Sequence, residues 1–289
     1  MGNYKSAHDR GDTSVLTCGQ TLVNFIQEQS MTYRQNVTVV ATYDSFLFRE
    51  YFVAWAAHMK LLFDKTPGAG FVLLAPTLLS GTSRVVDQNV RLFFNMDELS
   101  HIESTHQDVV CVIPLLLQIR SRTISKETSH ANGAVLLLEK KTIYLFTLEP
   151  LGVVEMGPFN TMAILDGIQR AINEIWPDVK VGTVMSVTAS AGCAHGLQRI
   201  ENEQSGQKGG NCTVWSFLML HAFLFILMGC DQTVHSKVDI RDMSVLLRYA
   251  TTDMDLIKLV DQYKDILVHW AADATFEASH VNTKRRRLV

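Results

Sequence analysis

Gln207–Leu227, QKGGNCTVWSFLMLHAFLFIL, is a polar, glycine-bearing loop that passes without a break into the longest apolar run of the chain. A helix apolar on every side has no solvent face, so the run from Val214 to Met228 reads as a buried central helix. It falls short of the ~20 apolar residues that span a bilayer, carries Ser216 and His221, and lacks a flanking basic cluster. Cys212 stands at the seam between loop and helix. There the unsatisfied N–H groups and the positive end of the macrodipole favour a thiolate. The ordinary fate of a cysteine is to be a small buried residue. What separates the two readings is whether a base and an orienting carboxylate converge on Cys212.

Working outward, Leu16–Gln29 has apolar residues at helical spacing, Val37–Thr42 is β-branched and strand-like, and Ser45–Phe63 lacks Pro and Gly and reads as a helix. Phe71–Ala75 and Val90–Phe94 read as strands joined by a Ser/Gly/Thr loop. Val109–Ile119, interrupted by Pro114, suggests one or two short buried strands, followed by a polar loop at Ser121–Ser129. Ala134–Glu139 and Thr142–Leu148 flank Lys140-Lys141 in hairpin order. Asn160–Trp176 carries Leu165, Ile168, Ile172 and Ile175 at helical spacing and stops at Pro177. Val179–Val187 reads as a strand and Thr188–Gly210 as a long loop. Asp239–Tyr249 and Asp253–Trp270 are amphipathic, and residues after Ala271 read as a frayed end. Helices at both ends and strands between them predict an α+β domain with a mostly antiparallel central sheet.

The chain has 289 residues, 47% of them hydrophobic and 19% charged, an ordinary globular composition. Net charge is −3, and removing the four charges of Lys284-Arg285-Arg286-Arg287 leaves −7 on the rest, which argues against general nucleic-acid binding. Five cysteines without paired spacing point to a reducing compartment and to no zinc site. The polar N-terminus lacks the apolar core of a secretion signal, though Met1-Gly2 with Ser6 fits the myristoylation pattern. Cytosol or nucleus is the expected location, with the basic tail either a nuclear address or a solvated end.

A cysteine nucleophile needs a histidine to take its proton and a third group to hold that histidine. Ten histidines are present, and position selects among them. His130 stands where the polar loop becomes the first hairpin strand, and Glu149 follows the second. An antiparallel hairpin sets the start of its first strand beside the end of its second, so His130 and Glu149 are expected to be neighbours. His221 lies more than two turns from Cys212 and reads as a core histidine. Cys193 and His195, two apart in the long loop, form a weaker rival pair.

Ser129–Gly152, SHANGAVLLLEKKTIYLFTLEPLG, resembles the His-Ala-Asn, strand, lysine turn, strand, Glu-Pro-x-Gly pattern of cysteine proteases encoded by large DNA viruses. Gly196-Leu197-Gln198, then Glu201, then Gly210-Asn211-Cys212-Thr213-Val214-Trp215-Ser216 resembles their Gly-x-Gln … Gly-x-Cys-x-x-Trp-Ser segment. Those proteins are similar to the adenain and SUMO-protease (ubiquitin-like-protein-specific protease) family, whose order His, Asp/Glu, Gln, Cys this chain follows. The likeness spans roughly Val109 to Leu227.

The resemblance implies a papain-like cysteine protease fold over 1–275, with 1–108 an extension packed on a catalytic core at 109–230 and a basic tail at 276–289. It implies that Cys212 attacks the substrate carbonyl, His130 is general base and then acid, Glu149 orients His130, and Gln198 donates to the oxyanion beside the Cys212 N–H. Gln204 and Gln207 are rivals for the last role. The implied partner is a protein substrate, a ubiquitin-like conjugate or a viral polypeptide, with no cofactor, metal or membrane required. Ala131 stands where SUMO proteases carry the tryptophan that encloses a Gly-Gly tail, and the Gln198–Cys212 spacing is longer than theirs. The same three side chains also suit an acetyltransferase, and a catalytically dead binding protein is the reading from another class.

Overall fold

The computed structural model describes residues 22, 24–32, 47–64, 71–86, 89–94, 99, 110–122, 127–152, 154, 157–186, 196–206, 211–229 and 256–286. The expected strand at Val37–Thr42, the helix at Asp239–Tyr249, and Cys193 and His195 lie outside them.

Seven strands form one sheet: β1 Phe71–Leu73, β2 Thr77–Val86, β3 Asn89–Phe94, β4 Val110–Arg122, β5 Glu127–Glu139, β6 Thr142–Leu148 and β7 Lys180–Ser186. The order is β3-β2-β4-β5-β6-β7, with β1 also paired to β4. The sheet is mixed, which corrects the mostly antiparallel expectation: β1–β4, β2–β4 and β6–β7 are parallel, and β2–β3, β4–β5 and β5–β6 antiparallel. The cause lies largely at Thr77–Val86. Its Ser, Gly and Thr residues suggested a loop, yet they form β2, because a strand with one solvated face needs apolar residues only at alternate positions. β4 also runs unbroken past Pro114 and, with β5, into most of the expected polar loop.

Helices cover both faces. α1 (residues 24–32), α2 Phe48–Asp64, α5 Cys212–Gly229 and α6 Leu256–Arg286 share one core with Val112 and Leu116 of β4, Val135 and Leu137 of β5, and Phe146 and Leu148 of β6. α3 Thr161–Ile175 covers the other face, setting Ile164, Leu165, Ile168 and Ile172 against Ile113, Leu115, Leu136 and Leu145. β4 and β5 are thus sandwiched between layers, which explains their near-continuous apolar sequence. α3 begins at Asn160, whose side chain accepts from the Ala163 N–H, and ends at Trp176 before Pro177. The β5–β6 turn places Lys140 and Lys141 at φ 44° and 64°, the doubly positive geometry that two-residue hairpins favour.

Two further expectations change. The supposed loop at Thr188–Gly210 contains a helix, α4 Leu197–Ser205, which starts after one glycine and ends at another, Gly206, in the left-handed conformation. The last helix continues past Ala271 to Arg286. α5 is buried around its whole circumference, from Val214 and Trp215 through Phe217, Leu220 and Leu224. Among the described residues, no helix is long and apolar enough to cross a membrane.

Candidate active site

β6 ends at Leu148, opposite Gly133, while β5 continues back to Glu127 paired with β4 on its other side. Residues 130–132 of β5 therefore have no β6 partner, and the site occupies that gap. His130 and Asn132, alternate residues on one face of β5, both reach toward Glu149, the residue after β6. The His130 Nε2 lies 2.9 Å from Glu149 Oε1 and 3.1 Å from Oε2. Asn132 Nδ2 donates to Oε2 at 2.7 Å, and the Leu151 N–H donates to Oε1 at 3.0 Å. Glu149 is fully buried, not the exposed strand-end carboxylate that its sequence position alone allows.

Cys212 opens α5 and is half-buried. Its sulfur is hydrogen-bonded to the His130 ring, the Ala131 backbone N–H and the Thr213 hydroxyl. The Ala131 N–H thus serves the sulfur at the point where β6 has left the sheet. Because Nε2 faces the carboxylate, Nδ1 is the nitrogen left for Cys212. Sulfur and carboxylate therefore engage opposite sides of one imidazole. Phe159, just before α3, lies over that ring with centroids 5.3 Å apart.

The charges follow from these contacts. Burial alone would push His130 down, but the Glu149 carboxylate and the Cys212 sulfur overcome it and raise the imidazole to about 10. Burial would likewise push the Cys212 thiol up, and the hydrogen bond and positive charge of His130, with Ala131 and Thr213, bring it below its ordinary value. Both shifts run in the direction that favours a thiolate beside an imidazolium. That pair can attack a carbonyl carbon and then hand a proton to the departing group.

The turn after Glu149 joins the carboxylate to α4. Gly152, at φ 87°, donates its N–H to the Glu149 carbonyl, closing the turn. The Gly196 N–H donates to the Leu151 carbonyl and the Gln198 N–H to the Pro150 carbonyl, both at 3.0 Å. This approach tolerates no side chain at residue 196, where a Cβ would meet the Pro150 oxygen at 2.1 Å. Gln198 is 2% exposed, and its side-chain Oε1 has no partner among the described residues. Glu201, one turn further along α4 and on the same side, accepts from Asn211 Nδ2 at 2.7 Å and from the Trp215 indole at 2.9 Å. The Gln198 face of α4 is thereby turned toward the first turn of α5. Gln204 is exposed on α4, and Gln207 lies outside the described residues.

Three of the four sequence-selected residues, His130, Glu149 and Cys212, form one hydrogen-bonded chain, and Gln198 is buried on the helix docked beside it. Asn132 and Glu201 fall within the sequence motifs but carry no role there, and the two-residue alternation from His130 is the signal that points to Asn132. His221 is fully buried, its Nδ1 3.0 Å from the Tyr263 hydroxyl, and its environment lowers it to about 3, as fits a neutral core histidine. Among the described residues, no three His, Cys, Asp or Glu side chains group as ligands for a metal ion.

No protein-family model matches the chain, and no curated protein matches it. Among solved structures, two crystal structures of the Legionella pneumophila effector protein RavZ are similar to it. One shares 12% identity over 75% of this chain and 68% of that chain, with a TM-score of 0.40. The other shares 11% over 75% of this chain and 64% of that chain, with a TM-score of 0.41.

Proposed function

We propose that the protein is a cysteine protease or isopeptidase whose nucleophile is Cys212, with His130 as general base and acid and Glu149 as the group that orients it. The observation that carries this reading is the hydrogen-bonded chain from the half-buried Cys212 sulfur through His130 to the buried Glu149, with the thiol lowered and the imidazole raised. A structural cysteine needs neither partner.

On this reading the thiolate adds to the substrate carbonyl, forming a carbon–sulfur bond. The negative oxygen is held by the Cys212 N–H at the positive end of α5 and by the Gln198 amide, rotated so that its NH₂ points inward. The buried Oε1 has no partner among the described residues, so the amide gives up no hydrogen bond on rotating. The imidazolium protonates the leaving amine as the carbon–nitrogen bond breaks. The neutral imidazole then takes a proton from the water that hydrolyses the thioester, and the thiolate returns. The reading places the chain as a variant of the papain-like arrangement, acting on a protein in the cytosol or nucleus. The choice between a ubiquitin-like conjugate and a viral polypeptide as substrate rests on the sequence resemblance alone.

The test is release of fluorophore from a positional library of peptide coumarin amides. Cys212→Ala and His130→Ala are expected to abolish release while unfolding cooperatively, and mass spectrometry of the wild type should show an acyl adduct on Cys212. Full activity in either variant overturns the assignment. A ubiquitin-like vinyl sulfone that labels Cys212 favours deconjugation. Labelling only by a general thiol reagent favours polypeptide processing.

A further inference from the structure

Beside the site lies positive charge that no carboxylate among the described residues compensates. On the sheet face shared with α5, β3 presents Arg91 and Phe93, β2 presents Thr82 and Arg84, and β4 presents Arg120, all of them exposed. Arg84 and Arg91 are direct antiparallel partners, an arrangement in which like charges destabilise a sheet. The Arg84 guanidinium lies over the Phe93 ring, 5.9 Å from its centroid, and Phe93 is 49% exposed. Among the described residues, no carboxylate pairs with any of the three arginines. The concentration is local, since the chain as a whole carries a net charge of −3.

Strand register fixes where this face stands. Thr82 is paired with Phe93 on one side and with Arg120 on the other, and Arg120 is paired with Ser129, the residue before His130. Along the same face of β5, a Cβ on Gly133 would touch Leu220 of α5 at 3.0 Å, Ala131 donates to Cys212, and Ser129 is exposed. The cover that α5 provides stops at Ala131, and the arginine face opens immediately beyond its nucleophile-bearing end. At ~4.8 Å between strands, Arg120 is one strand and Arg84 two strands from that edge.

We propose that this face docks an acidic stretch of the protein substrate, Asp and Glu side chains interleaved with an apolar one, and so brings the adjoining bond over Cys212. This deepens the protease reading and rests on it. Guanidinium forks match carboxylates two bonds at a time, and the Phe93 ring offers the apolar contact that a purely solvated arginine patch would lack. A nucleic acid is the poorer occupant, because three cations on a net acidic chain offset few phosphates.

The experiment uses the full chain carrying Cys212→Ser and three fluorescein-labelled probes: a glutamate-rich peptide with one central phenylalanine, its lysine counterpart, and an oligodeoxythymidylate of similar length. Fluorescence anisotropy is expected to show binding of the glutamate peptide alone, weakened at least tenfold by Arg84→Glu and by Arg120→Ala. Arg84→Glu turns a repulsive cross-strand pair into an attractive one, so its melting temperature should not fall and lost binding cannot be blamed on lost fold. Unchanged affinity in both variants overturns the proposal. So does oligonucleotide binding abolished by the same substitutions. Iodoacetamide labelling of Cys212 with Arg84→Glu on the native cysteine background keeps the two readings apart: acidic-peptide binding without a reactive Cys212 sinks the protease and leaves the docking face.

Discussion

The Trp215 indole donates its N–H to Glu201 at 2.9 Å, and the other oxygen of that carboxylate takes the Asn211 amide at 2.7 Å, so one buried acid ties α4 to the first turn of α5. Gln198 and Cys212 sit on the two helices joined this way. Glu201→Gln keeps the shape but points an NH₂ at one of two N–H donors, leaving it unsatisfied at a cost of about 1–3 kcal/mol. If Gln198 serves the oxyanion, slippage of α4 impairs acyl transfer and not the thiolate. Peptide-amide kcat is then expected to fall by about 10²-fold, the scale of a misplaced group or a lost oxyanion donor, with iodoacetamide alkylation of Cys212 little changed. Equal losses in both assays would mean that Glu201 supports the nucleophile itself.

Gly196 meets Pro150 and Gly152 backbone to backbone. A Cβ there would lie 2.1 Å from the Pro150 oxygen and 2.2 Å from the Gly152 nitrogen, and neither atom can rotate away as a side chain could. Gly196→Ala should cost at least the ~1–3 kcal/mol typical of overpacking, read as a lower denaturation midpoint. Gly157→Ala provides the contrast: nothing lies within 4 Å of its Cβ, so its penalty is the positive φ of 91° and not a clash.

The hydrophobic core of this site was legible wherever one residue type forces one outcome. An all-round apolar run has no place but the interior, and Cys212 therefore had to open a buried helix. The lysine turn and its flanking strands paired Gly133 with Leu148, which put Glu149 within reach of β5. What escaped were elements whose reason lies elsewhere in the fold. β2 is half-solvated and rich in Ser, Gly and Thr, and it becomes a strand because β4 offers it a long parallel edge. α4 carries few apolar residues, and its support comes from the Pro150 and Leu151 carbonyls and from the Glu201 bonds, contacts that local periodicity does not encode. Asn132 is a different case: it bonds the same carboxylate across the same hairpin as His130 does, and the two-residue alternation along β5 that brings it there is present in the sequence.

Asn132 is expected to act through Glu149 and not on a substrate. Its Nδ2 fixes Oε2 at 2.7 Å, which leaves the carboxylate one orientation toward His130. Asn132→Ala removes that bond and frees the carboxylate to turn. Activity should fall by roughly tenfold, within the range by which supporting-shell partners matter. The diagnostic readout is a downward move of the alkaline limb of the pH–rate profile, which a purely structural defect would not produce. A fall in kcat at an unmoved limb would restrict Asn132 to packing.

The pH dependence follows from the two opposed shifts. His130 is raised to about 10 from its ordinary 6.5, so its proton is fully present below 6.5 and lost as pH rises through about 10. Cys212 is lowered, so its thiolate persists below the ordinary thiol range and is lost only as pH falls through that depressed value. Activity is therefore expected as a broad plateau, with an acid limb set by Cys212 and an alkaline limb near 10 set by His130. Iodoacetamide at mildly acidic pH should label Cys212 ahead of Cys111, whose thiol burial pushes up. Glu149→Gln removes the negative charge that opposes burial at His130, so the alkaline limb should move down. The imidazolium that lowers Cys212 is weakened with it, so the acid limb should move up. The plateau narrows from both sides at once, a signature that uniform loss of folded enzyme cannot mimic. An unaltered profile in Glu149→Gln would mean that the carboxylate is not what holds the proton on His130.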